Sequence, residues 1–172
     1  SYQYDVALSA LEAKRGILWL ATNSGKTAVA AGMIQALDIP TLFLVESVDL
    51  MRQTYDVFKA ETNLDIGMLG GGQDDIRFVT VAVTKSALIR SKEKGHPFKS
   101  FIRDVQMVIS DECHGVSNHT YTTVLQKCIN ANYRYGLSGT PLDRGEIDSM
   151  RLIAYTGPVI ERVTNTELID LG

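Results

Sequence analysis

The sequence predicts an α/β domain with a mainly parallel sheet flanked by helices, and three observations carry that prediction. Short apolar runs rich in β-branched residues alternate with segments whose apolar residues recur at helical spacing. One such run, Gly16-Ile17-Leu18-Trp19-Leu20, feeds into Ala21-Thr22-Asn23-Ser24-Gly25-Lys26-Thr27 and then into an alanine-rich stretch. Another, over residues 106–110, ends on Asp111-Glu112. In open parallel sheets, ligands bind beyond the carboxyl ends of the strands. Both polar clusters fall at such ends.

Taken in order, residues 4–15 set Val6, Leu8, Ala10, Leu11 and Ala13 among polar positions, a helical pattern that stops before Gly16. A strand is expected over 17–20. Residues 27–37 place Met33, Ile34 and Leu37 at helical spacing, and Asp38-Ile39-Pro40 ends that helix. Residues 41–45 read as a buried parallel strand. Residues 49–59, with Leu50, Tyr55 and Phe58 among polar neighbours, read as an amphipathic helix. An extended piece over 65–69 precedes a turn, Gly70-Gly71-Gly72-Gln73-Asp74-Asp75. A β-branched strand follows over 77–83, and Thr84 is placed to cap a short helix to Ile89. Residues 91–99 are polar, contain Gly95 and Pro97, and read as a loop. Beyond the strand at 106–110, a helix is expected over 119–129 and a strand over 133–137 leading into Ser138-Gly139-Thr140-Pro141. A helix over 146–154 and an extended piece over 158–163 complete the series.

At 172 residues the chain suits one domain with a real core. Its 45% hydrophobic and 22% charged content is that of a soluble globular protein. No apolar run approaches the ~20 residues of a membrane span, and no secretory leader pattern opens the chain. Net charge is −3, so any nucleic-acid contact must come from a local patch or from backbone groups. Cys113 and Cys128 have neither C-x-x-C spacing nor a matching His pair, and reduced intracellular thiols are expected. The abrupt start at Ser1-Tyr2-Gln3 and the stop at Leu171-Gly172 suggest a piece of something longer.

A strand running into Gly25-Lys26-Thr27 and then a helix is the layout of a P-loop. Backbone N–H groups of such a turn and of the helix N-terminus point at phosphate oxygens, and the helix dipole adds attraction. Gly25 lets the backbone approach without a Cβ in the way. Lys26 can neutralise β and γ phosphates, and the Thr27 hydroxyl can ligate Mg²⁺. Leu20 stands where the strict pattern has its first glycine, so an ordinary strand–helix connection is the alternative. Asp111-Glu112 supplies what nucleotide hydrolysis also needs. Asp111 would hold Mg²⁺ through a coordinated water, and Glu112 would polarise a water for in-line attack. Taken alone, two acids at a strand end could equally face solvent or cap a turn.

Asp111-Glu112-Cys113-His114 resembles the D-E-x-H box of superfamily 2 helicases. Ala21-Thr22-Asn23-Ser24-Gly25-Lys26-Thr27 resembles their motif I, in a family that often lacks the first Walker glycine. Ser138-Gly139-Thr140 resembles motif III, and Tyr2-Gln3 resembles the upstream motif whose glutamine reads adenine. Residues 46–53 are similar to motif Ia, with Glu46-Ser47 replacing the usual Pro-Thr. Val83-Thr84-Lys85-Ser86-Ala87-Leu88 is similar to the T-x-Q-S-L region, with Lys85 in the glutamine place. Within the superfamily, Gly70-Gly71-Gly72 and Asp111-Glu112-Cys113-His114-Gly115 resemble DNA helicases of the XPB, RecG and type I restriction group, and phage branch-remodelling helicases of the UvsW kind.

The resemblance implies that residues 1–172 form a helicase ATP-binding domain, the first of two RecA-like P-loop NTPase domains, with the second outside this chain. It implies ATP and Mg²⁺ as cofactors, bound by Thr22, Asn23, Ser24, Gly25, Lys26, Thr27 and Asp111, with Gln3 on the base. Glu112 would activate water, and His114 would link the nucleotide to Ser138 and Thr140. The implied partners are DNA, single-stranded or branched, and the C-terminal RecA-like domain of the same protein. The implied activity is ATP-driven DNA unwinding or branch remodelling in replication, recombination or repair, inside a bacterial or phage-infected cell.

Several residues carry two readings. Gln3 could be a solvated terminal residue. Asn23 replaces the usual glycine where the backbone angle is unusual, which Asn tolerates better than most residues. Ser47, Arg52, Gly70, Gly71, Gly72, Thr84 and Lys85 are candidates for nucleic-acid backbone contacts, or else helix caps and a hairpin. Cys113 occupies the variable place of the box and has no base of thiol chemistry beside it. Trp19 belongs in the core by its strand position. Lys92, Lys94 and Lys99 read as a solvated loop, and His96 and His119 as surface residues. The rival functions are a D-E-x-H RNA helicase, a nucleotide-sensing module without turnover, and another P-loop enzyme such as a kinase. The last leaves Gln3 and Ser138-Gly139-Thr140 unexplained.

Overall fold

Apolar side chains on the central strands alternate between two faces, and the alternation divides the core in two. On the strand Thr41–Val45, Phe43 and Val45 belong to one cluster, Leu42 and Leu44 to the other. Both faces are therefore covered by helices, the condition for a parallel sheet. The computed structural model describes residues 2–21, 25–112, 119–139 and 156–163, with residues 161–163 described as backbone only.

The elements run α1 (Tyr2–Ala13), β1 (Arg15–Leu20), α2 (Lys26–Leu37), β2 (Thr41–Val45), α3 (Val48–Glu61), β3 (Ile66–Gly70) and β4 (Gln73–Asp75). Then come β5 (Val79–Val83), α4 (Thr84–Lys92), α5 (Pro97–Asp104), β6 (Met107–Asp111), α6 (His119–Lys127), β7 (Tyr133–Ser138) and β8 (Val159–Val163). The strand order is β4-β3-β5-β2-β6-β7-β1-β8. Every pairing is parallel except β3 with β4. Helices α1, α2 and α3 cover one face through Val6, Ala10, Met33, Ile34, Met51 and Phe58. Helices α4, α5 and α6 cover the other through Ala87, Phe98, Ile102, Tyr121 and Leu125. The expected α/β class and mainly parallel sheet are thus observed.

Two polar ties fix helices to the sheet. The Tyr135 hydroxyl donates to the Ala10 carbonyl at 2.9 Å, which seats α1 over β7. The Arg134 guanidinium donates to the carbonyls of Leu125 (3.1 Å), Cys128 and Ala131 (2.9 Å), satisfying the end of α6.

Four local expectations change. Residues 70–75 are more than a turn: Gln73–Asp75 pairs antiparallel with β3 as a short hairpin. The segment 91–99 is not a loop throughout, because α4 runs to Lys92 and α5 begins at Pro97. Pro97 is at the helix start, where its missing N–H costs nothing, and the His96 ring accepts from the Phe98 N–H at 3.1 Å as the cap. Nor does Thr84 cap α4. It is the first residue of that helix, and its hydroxyl donates to the Val45 carbonyl at 3.1 Å. Trp19, finally, is only half-buried. The expected helix over 146–154 lies outside the described residues. Among the described residues, no helix is long and apolar enough to cross a membrane.

Cys128 packs in the second cluster, and burial pushes its thiol from 9.0 up to about 12, against the opposing pull of Arg134. A raised folded value means that stability from keeping the thiol protonated is complete below pH 9 and is lost as pH climbs towards 12. The urea midpoint should fall across that window and fall less in Cys128→Ala. Equal falls in the two proteins would exclude this linkage.

Candidate functional site

Register decides what meets at the carboxyl edge of the sheet. Asp111 on β6 pairs with Leu137 on β7, and Leu137 pairs with Leu18 on β1. Three adjacent strands therefore deliver Asp111-Glu112, Ser138-Gly139 and the turn after Ala21 to one side of one edge. The neighbouring strands β2, β5 and β3 deliver Ser47, Thr84 and Gly71 to the other side.

At the first cluster, Gly25 is the N-cap of α2 in the left-handed region (φ 78°), with no side chain capping the helix. The first N–H groups of α2 are left to an anion. A Cβ on Gly25 would lie 2.4 Å from the Gln3 side-chain nitrogen. Helix α1 thus hangs its first turn over the loop, and Gln3 also borders an apolar groove of about 160 Å³ between α1 and α2. Lys26, the first residue of α2, reaches past β7: its ammonium donates to Glu112 Oε1 at 2.7 Å, with the Lys26 side chain 14% exposed and that of Glu112 37% exposed. Glu112 adopts φ 51°, which costs a non-glycine residue roughly 1–2 kcal/mol. Its N–H donates to Asp111 Oδ1 at 3.0 Å. Thr27 follows Lys26 on α2 and is half-buried.

This donor set suits Mg²⁺. That ion keeps several waters and takes one or two protein ligands together with substrate phosphates. One hydroxyl, Thr27, and one carboxylate, Asp111, meet that need. Among the described residues there is no cluster of three or more His, Cys, Asp or Glu side chains that could hold a metal by itself.

Ser138 is fully buried at the end of β7 and pairs in register with Trp19. The Trp19 indole N–H donates to the Gly139 carbonyl. Sequence reasoning missed this contact by sending Trp19 to the core. The available signal was a tryptophan one residue from the end of a strand, since a sheltered indole N–H usually finds an acceptor.

In the second cluster Ser47 caps α3, accepting from the Leu50 N–H at 3.2 Å, and Arg52 is exposed on the next turn. Gly71 takes φ 55°, and a Cβ there would meet Val48 Cγ1 at 2.6 Å, so the hairpin turn lies against the start of α3. Lys85 is exposed. Thr84 is buried with its hydroxyl on Val45, so it holds the ends of β2 and β5 together instead of offering a surface hydroxyl. The hairpin is anchored further by Asp74, which meets the Arg90 guanidinium at 3.1 Å and His96 Nε2 at 3.0 Å. Thr22, Asn23, Ser24, Cys113, His114 and Thr140 lie outside the described residues.

Fold and site together define a RecA-like P-loop domain. Residues 1–143 match the family described as the type III restriction enzyme res subunit, ResIII. The chain is 31% identical to the DNA 3'-5' translocase XPB2 of Sulfurisphaera tokodaii over 97% of its own length and 36% of that protein's. It is 24% identical to the ATP-dependent DNA helicase uvsW of phage T4 over 99% of its length and 35% of that protein's. Among solved structures, the phage T4 UvsW helicase superposes with a TM-score of 0.78 at 24% identity, covering 93% of this chain and 58% of that one. The Pyrococcus furiosus Hef helicase domain superposes at 0.76 with 18% identity, covering 98% and 39%. The chain belongs to the ResIII family and has the RecA-like fold of superfamily 2 helicase domains. It spans about a third of the length of these curated relatives.

Gly25→Ala should lose about 1 kcal/mol of stability from the backbone angle, while the Gln3 amide, at the far end of a flexible side chain, swings aside at little cost. Adding Gln3→Ala should therefore return little of the loss. Complete recovery of the melting temperature in the double variant would show that the backbone angle costs nothing.

Proposed function

We propose that this domain binds Mg·ATP and, with a second RecA-like domain in the full-length protein, drives a helicase or translocase along DNA. The observation that carries the reading is the Lys26–Glu112 ion pair, which brings a P-loop lysine and a strand-end acid into contact across β7. In this reading, Lys26 leaves Glu112 for the β and γ phosphates. Glu112 is thereby released to accept a proton from water as that oxygen attacks the γ phosphorus and ADP departs. Thr27 and Asp111 are the groups that would hold Mg²⁺, which when bound neutralises phosphate charge. Backbone N–H groups of residues 22–25 cradle the phosphates, and Gln3 reads the base. His114, Ser138 and Thr140 pass the state of the nucleotide to the strand ends that face nucleic acid. The domain assignment of residues 1–172 is part of the same reading.

Ser47, Arg52, Gly71 and Lys85 would meet the nucleic-acid backbone, with Thr84 supporting them from below. A net charge of −3 agrees with a contact made by N–H groups, hydroxyls and a few cations. The names of the XPB2 and uvsW relatives support DNA as substrate. Other matching relatives carry RNA helicase names, which makes RNA the second reading. A nucleic-acid partner and a buried free thiol at Cys128 suit a protein that works inside the cell.

In the full-length protein, Glu112→Gln should cut hydrolysis by about 10²–10⁴-fold. ATP affinity should be kept or increased, because the carboxylate no longer competes for Lys26. Retained turnover would remove Glu112 from the role of base. A competition series with branched DNA, single-stranded DNA and RNA should rank DNA first, and an RNA preference would select the second reading. In the same assay Arg52→Ala should weaken binding across sequences and lower the salt slope by about 1.

A further inference from the structure

We propose that Trp19 is a positioning residue that ties the phosphate-loop strand to the Ser138-Gly139 strand end through its indole N–H. The inference rests on the ATP-hydrolysing reading above. Trp19 is the second-last residue of β1, two positions before the phosphate loop begins after Ala21. Its strand neighbours Leu18 and Leu20 are fully buried in one core cluster and Ile17 in the other. Trp19 alone among residues 16–20 is only half-buried. A side chain on a strand leans along the strand direction, so the indole, which starts level with Ser138, reaches the residue just after the adjacent strand β7. There it donates to the Gly139 carbonyl.

This contact is not one the fold already supplies. Parallel pairing of β1 with β7 ends at Trp19 and Ser138, so the backbone ladder stops where the two functional turns begin. The indole bond extends the connection by one residue beyond that ladder. A displacement of the phosphate loop therefore reaches Gly139 through a flat, rigid side chain with only two rotatable bonds. Leucine, valine or isoleucine at position 19 would fill the same strand but carry no donor. Phenylalanine keeps the aromatic bulk and likewise lacks the N–H.

The test uses the full-length protein and Trp19→Phe. In the variant, the Michaelis constant for ATP and the DNA-independent single-turnover rate should stay within about twofold of the parent. DNA-stimulated kcat should fall about fivefold, the size of one ordinary hydrogen bond. Trp19→His, which restores a ring N–H, should recover part of the stimulation. As a second readout, the indole ¹⁵N–H resonance that disappears in Trp19→Phe should shift in the parent when ATP is added. Unchanged DNA stimulation in Trp19→Phe, or an indole signal that ignores saturating ATP, overturns the inference and leaves the ATPase reading intact. Loss of basal hydrolysis in step with the stimulated rate would also overturn it, as the mark of general disruption. A parent with no DNA-stimulated hydrolysis removes the functional reading itself, and this inference with it.

Discussion

Parallel pairing sends the carboxyl end of each strand to the same edge of the sheet, and everything functional in this domain depends on that. The six central strands divide there into two groups of three. Strands β6, β7 and β1 lead to Asp111-Glu112, Ser138-Gly139 and Ala21. Strands β2, β5 and β3 present Ser47, Thr84 and Gly71. Since β2 and β6 are neighbours, the two groups share a boundary inside one sheet.

The ion pair between Lys26 and Glu112 shows how that edge is balanced. The Lys26 ammonium and a Glu112 carboxylate oxygen lie 2.7 Å apart, joining the start of α2 to the end of β6. In a partly buried setting the pair itself adds little net stability. Its weight lies in placing an ammonium and a carboxylate within reach of the same space. The left-handed backbone at Glu112 and at Gly25 belongs to the same economy of position, since both angles turn polar groups off their elements and over the edge. Outside the edge, the fold is held conventionally. Two apolar clusters sandwich the sheet, Tyr135 seats α1, and Arg134 closes α6.

The strands were legible because their apolar runs are short and bounded. Thr41–Val45 needed no adjustment, and β1, β6 and β7 moved by a residue or two. Gly25-Lys26 and Asp111-Glu112 fall at strand ends, as expected, because the apolar runs before them are short and bounded. One misreading was local: Pro97 looked like a loop residue, yet its chain neighbour His96 caps α5. In the others, a long-range partner had changed the meaning of a local signal. Thr84 looked like a cap until its hydroxyl met Val45, 39 positions away in the chain. Trp19 looked like core filling until Gly139 appeared beside it, 120 positions on. Asp74 looked like part of a turn, yet it pins a hairpin to Arg90 and His96.

The sequence by itself determined the α/β class and the mainly parallel sheet, and it singled out the residues proposed to handle phosphate. Periodicity and turn chemistry are local properties, and both are written in consecutive residues. Only the tertiary structure decided which strand ends are neighbours, that Lys26 faces Glu112, and that a tryptophan joins two functional turns. Those facts depend on strand order, which no stretch of chain encodes alone, because it is settled by how two helical layers cover one sheet.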